Sequence, residues 1–434
     1  MTDTARRRAR ADRRARADRR ARARRLLAWS VLAGCFLLGF FHRFAPATFA
    51  DALSTDLDVT DAQLGALASW HFWTYTAAQI PAGLLVDRYG TRRCVAVGST
   101  VTALGALLLA VAQNLVTASA GPLLTGAGLS VVFVGIMKFN AAWFSPERYG
   151  LVTGVTMLLA TCGAVAAGSP TAWLLEHFHW RALFAVAAAA GLALSLAVAA
   201  LVRNHPSDAA PAEAPADRGG ARGGLRDAFR SRALWPLLLA TAGTNGTFYA
   251  FSGLWGVPLL TDTRGLSNTA AAWYTTAALT VYGIGCLAIG VWSDRAGRRK
   301  PFVLGTSAMA LTGWACLALL PWDAGWQGLA LYALVGAAAS QVTVSFAALK
   351  EAVPAHIAAT ALAILNAGCF GVSAALQPLF GLVLDAGHGW DWALALMAGT
   401  SALGLLAARA SRETFCRPLA PADSPAALEA VGER

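Results

Sequence analysis

Residues 83–93 read Gly83-Leu-Leu-Val-Asp87-Arg88-Tyr-Gly90-Thr-Arg92-Arg93, and residues 290–300 read Gly290-Val-Trp-Ser-Asp294-Arg295-Ala-Gly297-Arg298-Arg299-Lys300. Both fit G-x-x-x-D-R-x-G-x-R followed by a basic residue, at an offset of 207 residues. Each is a short polar turn between two long apolar blocks. Two further echoes keep nearly the same spacing: Pro146 with Pro354 at 208, and Trp180 with Trp390 at 210. One match could arise by chance, but a graded series at one offset marks a duplicated unit.

The unit is a membrane unit. Of 434 residues, 56% are hydrophobic and only 14% charged, with a mean hydropathy of +0.52. A soluble domain carries about a quarter of its residues as charges. Here the apolar residues form blocks of ~20 or more, the length that crosses a bilayer core as helix. This excludes a soluble enzyme, a secreted disulfide scaffold and a disordered chain. The seven cysteines, Cys35, Cys94, Cys162, Cys286, Cys316, Cys369 and Cys416, stand singly and read as small packing residues.

The blocks give twelve spans: 26–50, 63–86, 94–115, 121–144, 149–175, 180–202, 233–260, 269–292, 301–320, 325–349, 357–384 and 391–409. The chain then divides into a basic tail (1–25), a six-helix bundle (26–202), a polar linker (203–232), a second six-helix bundle (233–409) and a second tail (410–434). The linker is rich in Ala, Pro and Gly and cannot bury a core, although its end, LRDAFRSR, suits a short surface helix. Thirty-one of the 35 Lys and Arg fall on one side of these spans; only Arg181 and Arg264 fall on the other, and Arg43 and Lys138 lie within spans. The positive-inside rule then puts both tails and the repeated motif in the cytoplasm of a bacterial inner membrane. Twelve of the basic residues sit in the first tail, which contains ADRRAR twice. That tail reads as a topology signal rather than a nucleic-acid site.

The repeated loop, placed between spans 2 and 3 and again between 8 and 9, resembles the signature loop of the major facilitator superfamily, and the likeness runs from Leu26 to Arg409. The resemblance implies an all-α membrane protein with twelve transmembrane helices in two pseudo-symmetric six-helix bundles. Between them lies a substrate cavity exposed alternately to each side. It also implies gating roles for Gly83, Asp87, Arg88 and Gly90 and their copies Gly290, Asp294, Arg295 and Gly297. Gly83 would permit close helix approach and Gly90 a tight turn. Asp87 would face a helix N-terminus of the other bundle when the inner side is shut, favouring that state by ~1–3 kcal/mol.

Polar groups within spans are expensive and therefore mark candidate sites. Arg43, two thirds along span 1, is placed to clamp a carboxylate or phosphate. Tyr75 and Gln79 share one face of span 2. Lys138, Asn245, Tyr249, Trp255, Gln341, Asn366 and Gln377 complete a candidate mixed polar and aromatic cavity. His42 and His71 titrate near neutrality and are candidates for proton coupling. No Asp or Glu occupies the middle third of any span, which argues against cation or drug export. The chain also broadly resembles nitrate/nitrite porters, but spans 2 and 8 lack the arginines of that group. A looser resemblance, carried by Arg43 with Pro46, Gln79-Ile-Pro81, Trp180-Arg181 and Gln377-Pro378, is to lysosomal dipeptide transporters. It implies a small organic anion or zwitterion, such as an amino acid or dipeptide.

The reading is therefore a monomeric secondary transporter, by symport or uniport, that takes a small molecule through the lipid bilayer. A nitrate-type porter and a non-transporting solute sensor are the alternatives. No P-loop, nucleophile–base pair or metal cluster is present, so no enzyme activity, cofactor or metal is expected.

Overall fold

In a computed structural model, which describes residues 3–204 and 221–417, the chain is helical almost throughout. A backbone crossing lipid must satisfy its own hydrogen bonds, and helices do so within one segment. The helices, in chain order, are α1 (Asp3–Leu57), α2 (Asp61–Tyr89), α3 (Thr91–Ala110), α4 (Leu115–Trp143), α5 (Pro146–Ala167), α6 (Ser169–Leu175) and α7 (Trp180–Leu201). Then follow α8 (Ala221–Arg230), α9 (Leu234–Thr241), α10 (Thr247–Ala250), α11 (Pro258–Arg264), α12 (Asn268–Ala296), α13 (Lys300–Leu319), α14 (Trp326–Ala339), α15 (Gln341–Ala352), α16 (Ala355–Asp385) and α17 (Gly389–Arg409). Among the described residues, ten helical segments are long and apolar enough to cross a membrane; α2 and the interrupted α9–α11 stretch supply the other two of twelve spans.

Local chemistry sets the ends and breaks. Thr60 and Gln63 form a reciprocal capping box that starts α2, and Gly90, at φ +80°, ends it. Gly297, at φ +63°, ends α12 in the left-handed region, the residue type that bears such a turn with least strain. Span 5 breaks at Gly168, just before Pro170, and span 10 breaks at Ser340. Span 7 is more disrupted than its apolar run suggests: π turns at Ala242–Gly246 and Phe251–Trp255 interrupt it before Pro258 restarts the helix.

The LRDAFRSR segment lies largely in α8, where Ala228 is buried in a cluster with Leu234, Val344 and Ile357. The rest of the linker, 205–220, lies outside the described residues, as do 418–434. The second tail begins as packed structure. Just after α17, Ser411 and Thr414 are buried, and the Glu413 carboxylate accepts the backbone N–H groups of Arg299 and Lys300 at the start of α13. Just after α7, the Asn204 side chain accepts the backbone N–H of Arg92 in the first turn of α3. Asn204 and Glu413 are 209 residues apart, so the duplication extends past the last span of each bundle. In the second bundle the clamp is charged. Burial raises the Glu413 pKa, but backbone N–H groups of Arg299, Phe415, Lys300 and Thr414 outweigh that and bring it below the ordinary carboxylate value.

Candidate substrate site

The face that carries both copies of the motif and the ends of α1, α4 and α17 nearest to it is called the motif face here, and the opposite one the far face. A cavity of about 430 Å3 lies between the bundles, displaced toward the motif face. Phe133 of α4, Thr153 to Thr161 of α5, Tyr282 to Leu287 of α12 and Val342 to Phe346 of α15 line it, all in the halves of their spans nearer that face. The far half is sealed. Hydrogen bonds between the bundles hold it shut: Asp385 with the backbone N–H groups of Asp61 and Ala62, Thr276 with Ser169, Asn268 with the Thr48 carbonyl, and Thr269 with Glu176.

Arg43 sits in the cavity wall and is 3% exposed. Its guanidinium carbon lies 4.8 Å from the Phe40 ring centre, 4.7 Å from Tyr75 and 4.6 Å from Phe370. Three rings can stabilise a cation and hold its plane, but they cannot replace the hydrogen bonds it made to water. Nε and Nη2 of Arg43 have no hydrogen-bond partner. The site is a pre-oriented, under-satisfied arginine facing a mainly apolar cavity, which is the chemistry of an anion receptor. Tyr249, on the cavity wall, stacks on Phe370 at 5.3 Å and shares a 2.7 Å hydroxyl–hydroxyl bond with Tyr282.

Of the residues singled out in the sequence, Arg43, Tyr75, Tyr249 and Asn366 come together on this cavity. Gln79 is one helical turn along α2 from Tyr75, buried, and outside the lining, with its side-chain nitrogen unpartnered. Five others lie within the spans read from the sequence but are not part of the cavity lining. Lys138 turns to the motif face, where Nζ donates to Asp87 Oδ1 at 2.7 Å and to the Val86 carbonyl at 3.0 Å. Asn245 is fully buried and donates to the Ala339 carbonyl, tying span 7 to the end of α14. Gln341 accepts from Thr306 and Ser307 where α13 meets α15. Trp255 donates its indole N–H to the Gln377 carbonyl and stacks on Phe380, beyond the cavity on the far side. Gln377 packs where α16 crosses α2, with its carbonyl 2.4 Å from where a Gly65 β-carbon would stand. A polar residue in a span marks a needed partner, and for Lys138, Asn245, Gln341 and Trp255 that partner is another helix, whereas both polar atoms of the buried Gln377 side chain have no hydrogen-bond partner.

The histidines sit within the first bundle and outside the cavity lining. His42 stacks near Phe184, with centres 6.2 Å apart, and His71 Nδ1 lies 3.1 Å from the Thr125 hydroxyl. The gating residues divide. Asp87 and Lys138 form a pair at the surface, and among the described hydrogen bonds and salt bridges Asp87 reaches no residue of the second bundle. Nothing lies within 4 Å of a β-carbon built on Gly83, so the close approach expected there is not made in this conformation. In the second copy, Arg299 is buried and binds both Asp294, at 2.6 Å, and Glu351, at 2.8 Å. Neither Arg88 nor Arg295 takes part in a salt bridge among the described residues. The sequence reading missed Phe40 and Phe370, which box the arginine, and Asp385. Aromatic residues are too common in spans to stand out, and Asp385 lies at a span end, where a carboxylate costs little.

Against known proteins, the family model described as Major Facilitator Superfamily matches residues 31–257 and 247–428. The uncharacterized transporter YybO of Bacillus subtilis is 30% identical over a stretch covering 36% of either chain. A probable sulfoacetate transporter of Cupriavidus necator is 22% identical over 92% of this chain and 96% of its own. Among solved structures, a bacterial homolog of the human lysosomal transporter Spinster, in an inward-facing and unoccupied conformation, superposes with a TM-score of 0.70. It is 18% identical and covers 89% of this chain and 98% of that one.

Proposed function

The chain belongs to the major facilitator superfamily, and from that premise we propose that it is a secondary transporter of a small organic anion, anchored by Arg43 and moved by alternating access. The observation that carries this is the buried guanidinium with two unpartnered donor nitrogens on the wall of a cavity between the bundles. A carboxylate or sulfonate docking there would satisfy both. It would also neutralise a buried cation that is otherwise surrounded mainly by aromatic rings. The sulfoacetate relative, matched along nearly its whole length, supports an anionic substrate as a class; sulfoacetate itself is a short dianion, a charge count that one arginine on this cavity does not match.

The seal between α2 and α16 supports the transport step. The two helices run antiparallel, so each end pairs the start of one with the finish of the other. At the far end, Asp385 of α16 accepts two N–H groups at the α2 N-terminus, at 3.1 and 3.0 Å. At the motif end, Asp87 of α2 is turned away to Lys138. Rocking the bundles would break the first contact and let Asp87 reach the start of α16. With the motif face in the cytoplasm, the conformation described is the one open to the cell interior.

The test is thermal unfolding of the purified chain against a panel of carboxylates, sulfonates and nitrate, repeated with Arg43→Ala, followed by flux of any ligand found into proteoliposomes. A charge-assisted pair contributes about 1.5–3 kcal/mol, so the variant is expected to bind at least ~10-fold more weakly. Stabilisation retained by Arg43→Ala would make the arginine structural and remove it from the site. High-affinity binding without flux would favour the sensor.

A further inference from the structure

We infer that the anion carried bears a single charged group on an apolar body about 10 Å long, and is neither a zwitterion nor a dianion. This rests on the reading of Arg43 as the anchor and names the class of substrate that fits the remainder of the same cavity.

The charge count comes first. Among the described residues that line the cavity, Arg43 is the one ionic side chain; no described Asp, Glu, Lys or His joins it there. An amino acid or dipeptide would bring an ammonium group into the cavity with no carboxylate to receive it, and a dicarboxylate would bring a second anion with no second cation. Desolvating an unpaired ion costs several kcal/mol even after the protein relaxes. The nearest polar pair does not change this, because Tyr249 and Tyr282 already bond to each other through their hydroxyls at 2.7 Å.

The shape and the walls give the body. From Arg43 toward the motif face the lining passes through Phe36, Phe133, Met157, Leu158, Leu287 and Phe346, with the hydroxyls of Thr153, Thr161 and Thr343 between them, and is mainly apolar. Phe36 precedes Arg43 by seven residues on α1, and at 1.5 Å per residue that is ~10 Å along the helix. Leu158 and Leu287 remain 46% and 54% exposed, so apolar surface is open at this level rather than packed away. A ligand whose acid meets Arg43 would lay its other end against these side chains and cover them from water, which a short hydrophilic acid could not do.

Three probes on the purified full-length chain test the class: 4-phenylbutanoate, its 2-amino derivative and adipate. All have similar length; the second adds an ammonium group and the third replaces the phenyl ring with a carboxymethyl group, which brings a second carboxylate. Calorimetric titration is expected to show 4-phenylbutanoate binding at least tenfold more tightly than either of the others. Equal or tighter binding of the amino derivative or of adipate overturns the inference, as does binding of none of the three. Arg43→Ala separates the two levels. If 4-phenylbutanoate binds the variant as it binds the unmodified chain, the anchor itself falls. If affinity is lost in the variant but the three probes were indistinguishable beforehand, the anchor stands and only the substrate class falls.

Discussion

The two ends of the α2–α16 pair contain similar parts in different states. At the far end, a carboxylate on one helix meets the N-terminus of the other, and glycines remove the side chains that would hold the backbones apart. A β-carbon on Gly381 would stand 2.3 Å from the Asp61 carbonyl oxygen, and one on Gly65 would stand 2.4 Å from that of Gln377. At the motif end, a glycine and an aspartate are again present, but Gly83 faces open space and Asp87 holds a lysine of its own bundle. The difference teaches that such an end is a latch only when its partner is within reach. With one latch closed and the other diverted, the molecule is described in one of two conformations, and each latch is a separate place to bias the balance.

The second copy of the motif sharpens that contrast, because its charges are committed within one bundle. Arg299 is 7% exposed and tied to Asp294 and Glu351, and Glu351 also accepts from Thr414. Removing Glu351 leaves a buried guanidinium short of a partner. Glu351→Ala is expected to cost about 3 kcal/mol of stability, read as a lowered midpoint of thermal unfolding. It should not change how readily Cys286, on the cavity wall, reacts with a membrane-impermeant thiol reagent from the motif face. A change in that reactivity without loss of stability would show that the second copy is also a moving latch.

Gly381→Ala comes next. Its β-carbon would meet backbone atoms that cannot rotate away, so the far seal must open by some tenths of an ångström or more, at a cost of ~2 kcal/mol. Cys286 labelling from the motif face is expected to fall at least several-fold as the far-closed state loses population. Gly83→Ala, with empty space around it here, is expected to leave this state untouched and to hinder only the opposite one. Equal effects of the two glycine variants would remove the distinction between the ends.

Asp385→Asn keeps the size of the side chain and removes the charge. A carboxylate on free N–H groups at a helix start contributes about 1–2 kcal/mol, so the variant should shift the same labelling ratio by ~5- to 30-fold in the direction of Gly381→Ala. The smallest effect belongs to Lys138→Ala. The Lys138–Asp87 pair is largely exposed, and such pairs contribute under about 1 kcal/mol. Stability should hardly move, and releasing Asp87 should modestly favour closure of the motif face, seen as slower Cys286 labelling. Faster labelling would mean that Lys138 supports closure instead of delaying it.

These tests also show how much was legible beforehand. Arg43 stood out because an arginine deep in a span needs an explanation, and Tyr75, Tyr249 and Asn366 lie with it on the cavity. Lys138 met the same criterion and is elsewhere, because its long stem carries the ammonium group to the end of α2. Asn245, Gln341, Trp255 and Gln377 looked like cavity groups because a polar side chain in lipid must find a partner, and the sequence does not say whether that partner is a ligand or a neighbouring helix. Asn204 and Glu413 escaped notice altogether. Their kinship lies in what they cap, and no residue identity links an asparagine to a glutamate.

The sequence by itself determined the membrane setting, the twelve spans, the duplication and the family, since these depend on run lengths, charge placement and a repeated turn motif, all of them local along the chain. Tertiary structure alone decided which polar residues face the cavity, which rings enclose Arg43, and which end of α2–α16 is latched. Those properties depend on helix rotation and on the tilt between two bundles. A few degrees of either moves a side chain from cavity to interface while leaving every apolar run, and so every sequence signal, unchanged.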